Sequence, residues 1–299
     1  MKGIIRKLLI KWPNLGAIVI YIYRRLWLYD IKRNFGIPFQ VHIDRISIDL
    51  IPEGQIAKVV FMKKFEPTEL NIFSKLIRPG MIVVDAGANI GLYSLLASKL
   101  VGDSGQVFSF EPSVETYLRL SKNIQINKSK NINAINCGLG DSNDQELVLR
   151  QDLGYEDAER YMVPSDAILN KDLENVNDLA KSEKVSIVRL DSYLETQGIS
   201  KIDFMKIDTE GFEYYVLNGA KEILSNSDQL VILFKCTELG TKRANINQRK
   251  VFDILHNSGF GIYYWDDSSN SWNNDVEGCF SAGELWAAKS INKLTDYIC

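Results

Sequence analysis

The chain has 299 residues, 45% of them apolar, and a formal net charge of −3. That length buries one substantial core, or one core with a small appendage, and a mildly acidic balance argues against a general nucleic-acid binder, which is usually basic. The four cysteines, Cys137, Cys236, Cys279 and Cys299, form no C-x-x-C pair and no zinc-like spacing with His42 or His256, so reduced thiols in a cytoplasmic protein are expected and a zinc enzyme or a His-based nucleophile is not.

Residues 1–35 carry eight Lys/Arg against one acid, Asp30, and read as helical with a break at Trp12–Asn14. "LGAIVIYIY" (Leu15–Tyr23) is apolar for nine residues, followed at once by two arginines and without a small-residue cleavage site. Nine residues are too short to span a bilayer. With Trp12 and Trp27 beside the basic charge, the segment suits peripheral attachment to an anionic membrane face; a helix pair packed on the main domain with a solvated basic face fits equally. From Phe39 the apolar residues alternate (Phe39, Val41, Ile43), slip phase over Asp44–Arg45, and alternate again (Ile46, Ile48, Leu50), which predicts two short strands or one bulged strand. A helix follows over "EPTELNIFSKLIRPG", with Pro67 in its first turn and Pro79–Gly80 as its stop.

A strand–helix rhythm then begins. "MIVVD" is continuously apolar, as in a strand buried on both faces. Next come a helix from Gly91 to Leu100, strand "QVFSFE", helix "SVETYLRLSKNIQIN" and strand "INAINCGLGD". Residues 151–184 interrupt with nine acids and four bases and read as an insertion or lid. The rhythm resumes with "VSIVRLDSYL", strand "DFMKID", helix "GFEYYVLNGAKEIL", strand "QLVILF", helix "NQRKVFDILHNSG" and strands "GIYYW" and "ELWAAK". Alternation of this kind predicts an α/β fold with a parallel sheet and right-handed crossovers. The boundaries drawn are 1–64 for an N-terminal helical and β extension and 65–299 for the α/β domain.

The turn in "VVDAGANIGLYSLLASKL" (Val83–Leu100) joins a strand to a helix and is built to hold a ligand. A dinucleotide fingerprint needs G-x-G-x-x-G, but after Gly87 the second and third glycine positions are Asn89 and Leu92; a phosphate-binding G-x-x-x-x-G-K-[ST] loop is also absent. A nicotinamide-dependent oxidoreductase is therefore disfavoured. Asp85 ends the strand, Glu111 ends the next, and Asp141 closes "GLGD". Acids at that edge repel phosphates and attract the ammonium and sulfonium of S-adenosylmethionine, and an acid in the position of Glu111 suits both hydroxyls of a ribose. Each acid alone is equally compatible with a helix cap or a turn.

"VVDAGANIGLYS", "FSFEPS", "CGLGD", "LDSYL" and, most specifically, "IDFMKIDTEGFEYYVLNGAKEIL" resemble the FkbM-type methyltransferases, a branch of the class I S-adenosylmethionine-dependent enzymes, over about Phe65 to Lys289. The resemblance implies a seven-stranded, mostly parallel Rossmann-like sheet, S-adenosylmethionine held by Asp85, Gly87, Asn89, Gly91, Glu111 and Asp141, and methylation of hydroxyl oxygens in natural products and glycans. An alcohol oxygen needs to lose its proton. Asp208 or Glu210 as general base, or both holding a hard cation such as Mg²⁺, would meet that need. Lys206, on the same strand face as Asp208, suits a developing alkoxide or an acid partner. Asp208, Glu210 and Glu213 also lie where a helix start favours acids for structural reasons alone. Members of the family often have a Glu near the end of strand five; here Lys235 stands there, with Glu238 three residues on, which favours general-base or proximity catalysis over the metal. Asp191 is expected to cap a short helix, His42 and His256 to be structural, and Tyr263–Trp272 to form a hairpin or to stack on a sugar. Glu66, before Pro67, matches a Glu–Pro step near the cofactor mouth. The expectation is an O-methyltransferase acting on a hydroxyl-bearing small molecule or glycan; the alternative is a binding or scaffold protein on the same fold.

Overall fold

The computed structural model describes residues 39–43, 46–50, 66–143, 145–151, 160–163, 181–274 and 284–295. The basic N-terminal segment, most of the acidic stretch after residue 151, and Cys279 and Cys299 lie outside the described residues. The chain divides into two compact units, residues 1–41 with 49–65 and residues 42–48 with 66–299. Strands β1 (Phe39–Ile43) and β2 (Ile46–Leu50) form a two-stranded sheet, as the phase slip predicts.

The larger unit is built on an eight-stranded sheet. Its central strands are β3 (Ile82–Ala86), β4 (Gln106–Phe110), β5 (Ile132–Ile135), β10 (Phe204–Ile207) and β11 (Val231–Lys235). They run parallel in the order β11-β10-β3-β4-β5. Beyond β11 lie β14 (Glu284–Ala288), β12 (Gly261–Asp266) and the short β13 (Ser271–Asn273), with β14 antiparallel to both of its neighbours. The fold is therefore α/β with a mostly parallel sheet, as expected, but with eight strands instead of seven. The added strand is β13, whose Trp272 faces Trp265 across the pair and meets Trp286 edge-on; the aromatic stretch is a hairpin packed on the core through Trp272.

Apolar periodicity places α1 (Pro67–Leu76) on the sheet, α2 (Leu92–Val101) is buried along nearly all of its residues, and α3 (Val114–Asn127) follows β4. Phe73 packs edge-to-face on Tyr93 and on Phe204, and Phe204 on Trp286. Large side chains buried to this degree contribute roughly 1.5–3 kcal/mol each, so α1 and α2 are fixed over one face of β10 and β14. That face carries the site.

Two expected elements divide. "INAINCGLGD" is not one strand: after β5 the chain turns at Asn136, whose side chain donates to the carbonyls of Glu111 and Pro112. It then enters β6 (Gly138–Leu139), which belongs to a second sheet with β7 (Gln145–Gln151), β8 (Arg160–Val163) and β9 (Lys181–Val188), in the order β6-β9-β7-β8. "GFEYYVLNGAKEIL" is two helices; α4 (Leu190–Thr196) precedes them in sequence, and they are α5 (Glu213–Asn218) and α6 (Lys221–Asn226), broken where Gly219 presses on the Gly140 carbonyl. Asp191 does cap a helix, but not its own: its carboxylate accepts from the Glu222 and Ile223 amides and closes the N-terminus of α6. A short helix not expected from sequence, α7 (Glu238–Arg243), follows β11 and precedes α8 (Arg249–Asn257).

Candidate active site at the carboxyl edge of the sheet

Strand register sets out the site. Asp85 pairs with Lys206 across β3 and β10, and with Ser109 across β3 and β4. Side chains of paired residues share a face, and a step of two residues returns to it. One step further along the strands, the same face carries Glu111, Gly87, Asp208, Lys235 and Glu284, the last two directly paired.

The first half of this edge is the glycine turn. Asp85 is 2% exposed. Its Oδ2 accepts from Ser94 Oγ at 2.6 Å, which in turn is reached by Ser109 Oγ at 2.7 Å, while Oδ1 is buried without a hydrogen-bond partner. Burial raises its pKa, with Lys206 opposing. Gly87 has φ 80°, and a Cβ there would lie 2.1 Å from the Asp208 carbonyl oxygen, so only glycine lets the turn meet the end of β10. The Gly87 and Ala88 amides both donate to the Phe110 carbonyl. Asn89, also at positive φ, gives its amide to Glu111 Oε2 at 2.9 Å and accepts from the Ile90 amide; Gly91 opens α2. Glu111 Oε1 accepts from the Ser113 amide. Burial pushes Glu111 up to about 7 even though these two amides and Arg160 favour its charged form. Asp85, Gly87, Asn89, Gly91 and Glu111 are thus brought together. Asp141 is not part of this group by its contacts: it follows β6 in the second sheet and accepts from Asn218 Nδ2 at 2.9 Å.

The second half is a charged cluster. Lys206 is buried, 5% exposed, with Nζ 3.1 Å from Asp208 Oδ2 and 4.8 Å from the centre of the Tyr93 ring. Burial alone would lower its pKa, but Asp208, Asp85, Glu66 and Glu284 together raise it. Lys235 Nζ lies 2.9 Å from Glu210 Oε1 and 3.7 Å from Asp208 Oδ1. Burial raises the Asp208 pKa, yet Lys206 and Lys235 outweigh it and hold the carboxyl below its usual range. Glu66 accepts from Tyr93 Oη at 2.7 Å, so the Glu–Pro step at the head of α1 does face the site. Glu238 does not stand in for an acid at Lys235: it is exposed and pairs with Lys242 one turn on.

Glu213, 1% exposed, explains the shape of the loop between β10 and α5. Its Oε1 accepts from the Thr209 amide and hydroxyl and from the Gly211 amide, holding Glu210 at φ 54° and Gly211 at φ 109°. Burial raises it to about 7. A Cβ on Gly211 would meet the Gly240 carbonyl oxygen at 2.0 Å, so the loop and α7 touch backbone to backbone.

Sequence reasoning missed Glu284 and Tyr93. Tyr93 is signalled by its place in the first turn of the helix after the glycine turn; Glu284 has no local signal, because what defines it is Lys235, far away in sequence. No group of three or more His, Cys, Asp or Glu among the described residues is arranged to hold a metal, and Asp208 and Glu210 face lysine ammoniums instead. No helix among the described residues is long and apolar enough to cross a membrane.

Residues 85–261 match the family model described as "Methyltransferase FkbM domain". The chain is 28% identical over 202 residues to methyltransferase sdnD of Sordaria araneosa, covering 62% of this chain and 76% of that protein. It is 29% identical over 166 residues to 31-O-demethyl-FK506 methyltransferase FkbM of Streptomyces tacrolimicus, covering 49% and 62%. To methyltransferase 1 of Beauveria bassiana it is 28% identical over 146 residues, covering 46% and 57%.

Proposed function

Because the chain belongs to the FkbM methyltransferase domain family, we propose that it transfers the methyl group of S-adenosylmethionine to a hydroxyl oxygen of a small-molecule or glycan acceptor. The observation that carries this reading is the buried Asp85 carboxylate, two residues before Gly87, whose Oδ1 lacks a hydrogen-bond partner. An orphaned buried acceptor costs about 1–3 kcal/mol, and a cationic ligand with N–H donors removes that cost where a phosphate would be repelled. S-adenosylmethionine supplies an electrophilic methyl group together with such an ammonium. In this reading Asp85 holds the ammonium, Glu111 accepts from the ribose hydroxyls while Asn89 and Ser113 fix its orientation, and Gly87 keeps the turn against β10. Lys206 and Lys235, beside Asp208 and Glu210, line the acceptor side, where developing negative charge on an oxygen is favoured. The name of the Streptomyces tacrolimicus relative, which specifies an O-position, supports a hydroxyl acceptor. This donor set gives no support to a metal-assisted version.

Calorimetric titration tests the reading. S-adenosylmethionine is expected to bind saturably, and Asp85→Asn and Glu111→Gln each to weaken it at least tenfold; equal binding by both variants and the parent would remove this site. The pairing of both Asp208 and Glu210 with lysines favours one rival, a binding protein without turnover. Methyl transfer to any acceptor disposes of it.

A further inference from the structure

A base must be free to take a proton and must bind it with some strength at working pH. The carboxyls first suspected from sequence are not free. Asp208 lies between Lys206 and Lys235 and is held below the usual carboxylate range, and Glu210 is paired with Lys235. Glu66 is bonded to Tyr93, and Glu213 is tied to its own loop by three donors.

Glu284 differs. It opens β14 as the cross-strand partner of Lys235, on the face and in the row that carry Asp208. Its carboxyl meets no hydrogen-bond donor among the described residues. The charged and titratable groups that face it are Asp208 and Lys206 from β10, Lys235 from β11, Glu66 at the head of α1 and Tyr93 from α2.

Building on the methyl-transfer reading, we propose that Glu284 is the group that takes the proton of the acceptor hydroxyl. The O–H bond of the acceptor breaks, a new O–H bond forms on a Glu284 carboxylate oxygen, and the electron pair stays on the acceptor oxygen as nucleophile. Lys206 and Lys235 stabilise the negative charge that gathers there. The proton then leaves Glu284 for solvent, which restores the carboxylate. Burial and the Asp208 charge, with a smaller contribution from Glu66, push Glu284 up to about 8 against the pull of Lys206 and Lys235. In its charged form it is a far stronger base than Asp208.

The test has two arms. In protein labelled with ¹³C at the glutamate side-chain carboxyls, NMR titration from pH 5 to 10 should show one carboxyl with a midpoint near 8 that is absent in Glu284→Gln. This arm needs neither cofactor nor acceptor, and the absence of such a resonance overturns the assignment. In the second arm, methyl-tritiated S-adenosylmethionine is supplied with a hydroxyl-bearing metabolite extract. Glu284→Gln should bind S-adenosylmethionine within twofold of the parent but transfer methyl about a hundredfold or more slowly. The rise in rate towards pH 8 should vanish with it, and Glu284→Asp should restore that rise at a lower rate. Transfer by Glu284→Gln at the parent rate overturns the role of Glu284 and leaves the methyl-transfer reading standing. Failure of the parent to bind S-adenosylmethionine overturns that reading, with the NMR arm still deciding the properties of Glu284.

Discussion

Lys206→Met removes the ammonium from the middle of the cluster while keeping most of the side-chain volume. Lys206 is buried beside Asp208 at 3.1 Å, in the field of Asp85, Glu66 and Glu284. Removing one partner of a buried ion pair costs about 3–5 kcal/mol, because the other charge is left uncompensated. Lys235 stays 3.7 Å from Asp208, so the lower end, about 3 kcal/mol, is expected at pH 8. The loss should depend on pH. In the parent, Lys206 and Lys235 keep the Asp208 pKa below its unfolded value, so that contribution is present above about pH 4 and is lost only on stronger acidification. In the variant, burial acts on both carboxyls with less opposing charge, so the already raised Asp85 pKa climbs further and that of Asp208 is expected to rise above its unfolded value. The folded variant then binds more protons than its unfolded chain and gains stability as the pH falls. Urea unfolding of both proteins at pH 8 and pH 5.5 checks this, with the stability gap expected to narrow by about 1 kcal/mol or more at the lower pH. A gap below 1 kcal/mol at pH 8, or one that widens on acidification, would refute the view that Lys206 holds the cluster together.

Two other outcomes follow from buried carboxyls. Glu111 and Glu213 are raised to about 7 from 4.5, so the folded parent binds the extra protons between these values and its stability should rise as the pH falls from about 7.5 to 5; thermal midpoints that stay flat or fall over that range count against it. Asp191→Ala removes the acceptor for two amides at the start of α6 and should cost about 1–2 kcal/mol with unchanged affinity for S-adenosylmethionine; a change in affinity would mean that α6 bears on the site.

Local pattern carries the half of the site that is contiguous in sequence. The apolar run Ile82–Ala86, the Gly87 turn and the helix after Gly91 form as their residues dictate, and Lys206 and Asp208 share a face because strands repeat every two residues. What is not legible comes from contacts between distant segments. Lys235 stands out in sequence as an anomalous cation, and only the pairing of β11 with β14 and the loop after β10 shows that it lies among Glu284, Asp208 and Glu210. Asp141 looks like a third acid on the same edge until the turn at Asn136 moves its strand into a second sheet. The helix broken at Gly219 has a similar cause, since nothing nearby in sequence announces the Gly140 carbonyl. Asp191 has the right chemistry for a cap, but the helix it closes begins about thirty residues away, outside the reach of local capping rules.

Gly211 and Gly240 touch with no side chain between them. The acidic loop after the fourth parallel strand therefore rests on the first turn of the helix behind the fifth. Any tilt of that helix passes directly into Glu210, with no compressible layer to absorb it. Substitutions on its outer surface, remote from any substrate, are therefore expected to shift how Glu210 meets Lys235.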